Sequence, residues 1–205
     1  MARGFGRLRR EDLLRTACDV IAAQGFGHTR TADIAQAAGV SQALLFYHFE
    51  TKEKLFAQAF SYAAQLRLDA LARMEESGGS PLDRLRALLR FYPPGGKTTS
   101  WALWIDAWAE SMRNSELEET SRRIDTRWKE ALHAIIDDGV EAGAFVCADP
   151  EGSTWRIMSL IDGLATQVTV HRRLLSRARM TEFIQTAAAA ELGLSPAELR
   201  SASQP

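Results

Sequence analysis

The chain lacks the residues that would tie it together covalently or carry it into a membrane. Two cysteines, Cys18 and Cys147, in 205 residues exclude a disulfide-built fold, and reduced thiols on apolar helix faces are the expectation. Six prolines and no β-branched runs take away the strand signal and leave an all-α chain. No apolar run approaches the roughly 20 residues of a membrane-spanning helix. The Arg-rich N-terminus is followed by no apolar segment of signal-peptide length. A soluble, cytoplasmic protein with no membrane partner is expected. Catalytic patterns are missing too. The four histidines and two cysteines stand at no metal-ligand spacing, and there is neither a Gly-rich phosphate loop nor a nucleophile motif. His133, His171 and the adjacent Asp137 and Asp138 are all that a helical enzyme could use. Neighbours on a helix point about 100° apart, so the two aspartates do not converge on one substrate. The sequence calls for no catalytic residue, no metal and no cofactor.

What is present is apolar substance, 46% of residues, in a chain long enough for a small domain and a larger one with its own core. The net charge of −1 hides an uneven distribution. Residues 1–60 hold Arg3, Arg7, Arg9, Arg10, Arg15, Arg30, Lys52 and Lys54 against Glu11, Asp12, Asp19, Asp33, Glu50 and Glu53, a balance of +2 that leaves −3 for the remainder. Residues 1–9 are Gly- and Arg-rich; they read equally as a solubilising tail and as an arm for phosphates or a minor groove.

The stretch from Thr31 to Leu55 organises the rest. Thr29 or Thr31 can cap a helix whose apolar face is Ile34, Ala35 and Ala38, and Asp33 suits its first turn. Gly39 stops that helix, and Ser41 caps the next, whose apolar positions are Leu44, Leu45 and Phe49. Two short helices joined by a Gly-containing turn form a helix-turn-helix. The outward positions of the second helix, Gln42, Ala43, Phe46 and Tyr47, are polar, small or aromatic, which suits base edges and thymine methyls. His48 can donate to a phosphate, Thr31 can do so from the start of its helix, and Lys52 at the next helix N-terminus makes a phosphate site.

The run IAQAAGVSQALLFYHFETKEKLF resembles the DNA-binding domain of TetR/AcrR-type transcriptional regulators: a Gly-Val-Ser turn, an aromatic His-Phe segment, then a Lys-Glu-x-Leu helix start. The likeness covers about residues 10–58. It implies a homodimer on a double-stranded operator, a helical C-terminal domain for a ligand and for dimerisation, and release from DNA when a small molecule binds. The residues it implicates are Thr31, Gln42, Ala43, Phe46, Tyr47, His48 and Lys52. This chain departs from the pattern at Phe46, where a Tyr is usual, at Leu44, where a Ser or Thr is frequent, and at Ala43, where Gly is usual.

Beyond that stretch the apolar periodicity predicts helices over 10–24, 31–38, 42–48, 52–76, 81–91, 98–113, 115–142, 150–174 and 180–193, about nine in all. The expected domains are 1–58, a three-helix DNA-binding domain with a basic arm, and 59–205, a helical ligand-binding and dimerisation domain, with the long fourth helix as the link. Trp101, Trp104, Trp108 and Trp128 fall on the sixth and seventh helices and Trp155 opens the eighth. Aromatic stripes at helical spacing read as core packing or as the lining of a ligand site. Asp106, Glu110, His133, Asp162 and Gln167 supply candidate polar groups. Rings beside carboxylates suit a cation, and Trp101 to Gln167 is similar to the C-terminal domain of the choline-responsive repressor branch. Trp101, Trp104, Trp108, Trp128, Trp155 and Asp162 are the candidate ligand residues. Ile157, Leu160, Ile161, Leu164 and Val168, with Phe183, Ile184 and Ala187, are the candidate dimer surface, as a four-helix packing across a two-fold axis; an ordinary intramolecular core is the other reading. A ligand-responsive repressor is the leading expectation, followed by a DNA binder without a ligand and then by a helical enzyme.

Overall fold

A computed structural model describes residues 10–76, 78–93, 99–171 and 173–200. The N-terminal arm and the C-terminal residues 201–205 lie outside them. Among the described residues there are ten helices and no strand: α1 (Arg10–Gln24), α2 (Thr31–Ala38), α3 (Gln42–Phe49), α4 (Lys52–Glu76), α5 (Pro81–Phe91), α6 (Thr99–Ser111), α7 (Ser115–Glu141), α8 (Pro150–Val170), α9 (Arg177–Glu191) and α10 (Pro196–Arg200).

Their ends follow local chemistry. Ser41 Oγ accepts from the Leu44 N–H at 3.2 Å, Thr51 Oγ1 from Lys54 at 3.1 Å, Ser80 Oγ from Asp83 at 3.2 Å and Asp149 from Gly152 at 2.9 Å. Each satisfies a helix N–H that has no partner within its own helix. Ser176 likewise caps α9, so that helix opens three residues before the position expected from sequence. Neither threonine caps α2. Its N-cap is Arg30, whose N–H donates to the Asp33 carboxylate at 2.9 Å, while buried Thr29 donates its hydroxyl to the Gly25 carbonyl at 2.7 Å. Gly39 takes φ 67° and its N–H returns to the end of α2, the left-handed stop that glycine adopts without a Cβ penalty. Between α3 and α4 the chain reverses over Glu50, at φ 64° and ψ −57°. The Thr51 N–H reaches the Phe49 carbonyl at 2.7 Å, a γ-turn in the strained hand. Glu50 also accepts from Lys54 at 2.6 Å.

The chain forms two compact units, whose boundaries fall inside α4, α6 and α7. The domain limit expected at 58/59 and the unit boundary at 68/69 both fall inside α4. The first unit holds the described residues up to Leu68 together with Ala102–Ile124. Here α1 packs on α2 and α2 on α3 around Leu13, Leu14, Ala17, Ile21, Ile34, Leu45 and Phe49, all buried. Phe26 plugs this core edge-on to Phe56 and Phe60, at 5.5 and 6.4 Å between ring centroids. Its backbone N–H donates to the Asp106 carboxylate of α6. The second unit, Asp69–Trp101 with Asp125 onward, packs α8 on α9 and seats α5 and α10 against α9. Phe145 folds back on α7 so closely that its ring occupies the space a Cβ on Gly139 would need.

Among the described residues no helix is long and apolar enough to cross a membrane. Both cysteines are half-buried and free. Burial pushes the Cys18 thiol up to about 12, and it donates to the Ala59 carbonyl at 3.0 Å, so it stays protonated and unreactive. Removing the Ser41 cap should cost about 1 kcal/mol. For Ser41→Ala, hydrogen exchange at the α3 amides is expected to quicken about fivefold by local opening, with α8 amides unchanged.

Candidate functional site

The surface of α3 carries an unusual set of groups for a soluble helix. The Ser41 cap and buried Leu45 and Phe49 fix its inner side, which turns Gln42 and Ala43 outward. Tyr47 is 81% exposed, Phe46 41% and Leu44 37%. Leu44 is thus a surface residue and not part of the inner face; on an eight-residue helix the inner stripe needs only Leu45 and Phe49, one turn apart. No acidic side chain stands on α3 between Gln42 and Phe49. His48 is half-buried, its ring 5.3 Å from that of Tyr47. Lys52, half-buried at the first position of α4, holds its ammonium 4.9 Å over the Phe56 ring. Thr31 is half-buried at the first position of α2. Helix α3 therefore offers hydrogen-bonding and apolar groups outward, with the α2 and α4 N-termini supplying backbone N–H donors.

The six residues expected to meet a ligand divide between the units. Trp104 and Trp108 belong to the first. Trp104 stands edge-on to Phe60 of α4 at 4.7 Å, with Trp108 6.3 Å further along. Asp106 beside them is committed to the Phe26 N–H. Trp101, Trp128, Trp155 and Asp162 belong to the second unit. There Tyr92, at the end of α5, is the centre of a cluster: Trp128 lies 4.9 Å and Trp101 5.8 Å from its ring, both edge-on, and Phe91 stacks on Trp128 at 6.0 Å. The Tyr92 hydroxyl donates to Asp162 Oδ1 at 2.8 Å. Burial, reinforced by the charge of Asp125 and opposed by the Tyr92 hydrogen bond and Lys129, raises the Asp162 carboxyl to about 6. A carboxylate bonded to the tyrosine of an aromatic cluster, and costly to ionise without a counter-charge, suits a cation.

Trp155 is outside that cluster, 54% exposed, and its face is already covered by Lys129, whose Nζ lies 4.3 Å over the ring. Of the other polar candidates, Glu110 is half-buried and Gln167 exposed, and His133 Nδ1 lies 3.6 Å from the Asp137 carboxylate. Sequence reasoning missed Tyr92, Asp125 and Lys129. Tyr92 closes the amphipathic α5, and a tyrosine there is a ready hydrogen-bond donor. Asp125 and Lys129 stand four apart on α7, the spacing of a helical ion pair. Among the described residues no group of three or more His, Cys, Asp or Glu could hold a metal ion.

The residues expected at the dimer surface differ in exposure. Ile157, Ile161, Val168 and Ile184 are buried within the single chain. Side chains already out of water have no surface left to give a second copy. Leu160, Leu164 and Ala187 are half-buried, and Phe183 is exposed with the Arg179 guanidinium 4.7 Å over its ring. The open stripe on these helices is instead Ser159, Gly163, Gln167 and Val170 on α8, and Phe183, Thr186 and Ala190 on α9.

Residues 13–59 match the family model of bacterial regulatory proteins of the tetR family, and residues 81–193 that of the BetI-type transcriptional repressor C-terminal domain. The HTH-type transcriptional regulator BetI of Rhizobium meliloti is 31% identical over 166 residues, 78% of either chain. Its namesake in Stenotrophomonas maltophilia is 30% identical over 128 residues, which span 61% of this chain and 65% of that protein, just under two thirds. A solved structure of a transcriptional regulator from Saccharomonospora viridis in complex with choline superposes with a TM-score of 0.80 at 27% identity, covering 88% of this chain and 95% of that one. The chain belongs to the TetR family of transcriptional regulators, with a C-terminal domain of the BetI repressor type.

Proposed function

We propose that this regulator binds a pseudo-palindromic operator as a homodimer and that a quaternary ammonium compound of the choline type releases it. The observation that carries the DNA half is the α3 surface: Gln42, Ala43, Phe46 and Tyr47 turned outward with no acid among them. Gln42 reads a base edge, Tyr47 and Phe46 meet thymine methyls, Ala43 lets the helix approach, and Thr31, His48 and Lys52 hold phosphates. The two copies meet through the open stripe of α8 and α9, where Gly163 permits close approach, and half-sites lie about one helical turn apart.

The effector half is supported by the Tyr92, Trp101, Trp128 and Asp162 cluster and by the choline bound to the similar regulator. The ammonium sits against the rings and ionises Asp162, and binding shifts the population toward a state with lower operator affinity. Trp104, edge-on to Phe60 of α4, and Trp108 beside it belong to the unit of the DNA-reading helices.

Tyr47→Ala and Lys52→Ala are each expected to weaken operator binding by about tenfold or more while the melting temperature holds, and Lys52→Ala to lower the salt slope by about one phosphate contact. Fluorescence anisotropy on a labelled operator across a salt series reads both. Equal affinity for both variants and wild type rejects the assignment.

A further inference from the structure

The acidic cluster of the second unit contains a cation of its own. Asp125 and Lys129 stand one turn apart on α7 and are bonded to each other. The Lys129 side chain is only 17% exposed, and its ammonium is held from the other side by the Trp155 ring at 4.3 Å. Both charges are felt at Asp162 on α8, with opposite sign. The next cation on α7, Arg127, is bonded to Glu75. The cluster therefore has two carboxylates, Asp125 and Asp162, and one resident ammonium. That ammonium already makes the two contacts an added cation would seek, a carboxylate and an aromatic face.

We infer that Lys129 is a specificity-determining residue of the proposed effector site: it neutralises Asp125 and so limits the site to one added positive charge, at Asp162. The inference rests on the effector reading above. With Lys129 in place the cluster carries a net charge of one unit, which a monocation balances. A dication brings one charge too many and finds its second anchor taken, and desolvating an uncompensated charge is costly. Without the lysine ammonium, two carboxylates face the site and a linear diamine bridges them.

The test is calorimetric titration of the full chain at fixed ionic strength and mildly alkaline pH, with choline and with putrescine as separate probes. Wild type prefers choline. Lys129→Met shifts the ratio of the two dissociation constants toward putrescine by about tenfold or more, while Lys129→Arg keeps the wild-type ratio because the charge remains. Asp125→Asn releases Lys129 to neutralise Asp162 and weakens choline by about tenfold. A wild type that binds choline, with a ratio in Lys129→Met unchanged within about threefold, overturns the inference and leaves the effector reading standing. A wild type that takes up no choline overturns the effector reading and this inference with it. Should Lys129→Met fail to fold, Asp125→Asn decides: unchanged choline affinity overturns the inference.

Discussion

Replacing Asp162 with asparagine should weaken choline binding by about a hundredfold, the loss expected when one partner of a buried charge pair is truncated. Without ligand the same change should stabilise the protein at alkaline pH. The two effects share one cause. In the folded chain burial raises the Asp162 carboxyl from 3.8 to about 6, while the Tyr92 hydroxyl and Lys129 pull it down and Asp125 pushes it up. Between those two values the folded state keeps a proton that the unfolded state has released. Stability therefore falls as pH rises through that window, and the cost is fully present above it. The shift corresponds to roughly 3 kcal/mol, and asparagine removes that cost while its carbonyl still accepts from Tyr92. A bound cation reverses the balance by favouring the ionised carboxylate. Wild-type choline affinity should accordingly rise with pH through the region of 6, and the asparagine variant should show no such rise. Melting curves and titrations of both proteins from pH 5 to 8 read both effects. An Asp162→Asn protein that melts below wild type at pH 8, or that keeps wild-type choline affinity, contradicts the account.

Phe26→Ala should remove about 3–5 kcal/mol from the first unit, the usual cost of deleting a buried aromatic ring. Phe26 lies in the turn after α1, almost wholly buried, edge-on to Phe56 and Phe60 of α4. Its backbone N–H is fixed by the Asp106 carboxylate. A small helical unit has little stability in reserve, so a loss of this size opens it. Operator binding is expected to vanish and the amides of α1 to α3 to exchange rapidly. Choline binding, proposed for the second unit, should stay within about threefold of wild type. Specific operator binding retained by Phe26→Ala would show that this ring does not hold the DNA-reading helices in place.

The short-range chemistry of the chain was legible in its sequence. Ser41 caps the helix it precedes and Gly39 stops α2, because a cap or a left-handed turn depends on residues within a few positions; the α2 cap was misplaced, since Arg30 and neither threonine begins that helix. The outward face of α3 was legible for the same reason, apart from Leu44: eight residues are too few for periodicity to separate an inner stripe from its edge. Facts that depend on tertiary partners were not legible. An apolar stripe shows that a face is buried, not what buries it. Ile157, Ile161, Val168 and Ile184 meet their own chain, while Gln167, read as a candidate ligand group, stands on the open stripe with Gly163 and Thr186. The tryptophans of α6 and α7 appeared to be one group, yet the unit boundary falls between Trp101 and Ala102. Trp104 then packs on Phe60 and Trp101 on Tyr92. The Tyr92–Asp162 bond joins positions 70 residues apart, which no local pattern encodes.

Selection of the full chain against a random pool of duplex oligonucleotides, with the mass of the bound species measured on the enriched sequence, bears most directly on the claim that α3 reads DNA as one of a symmetric pair. The account predicts a single enriched pseudo-palindrome, two chains on each duplex, and loss of the enrichment in Tyr47→Ala. A monomer on DNA, or a pool that emerges as random as it entered, would contradict it.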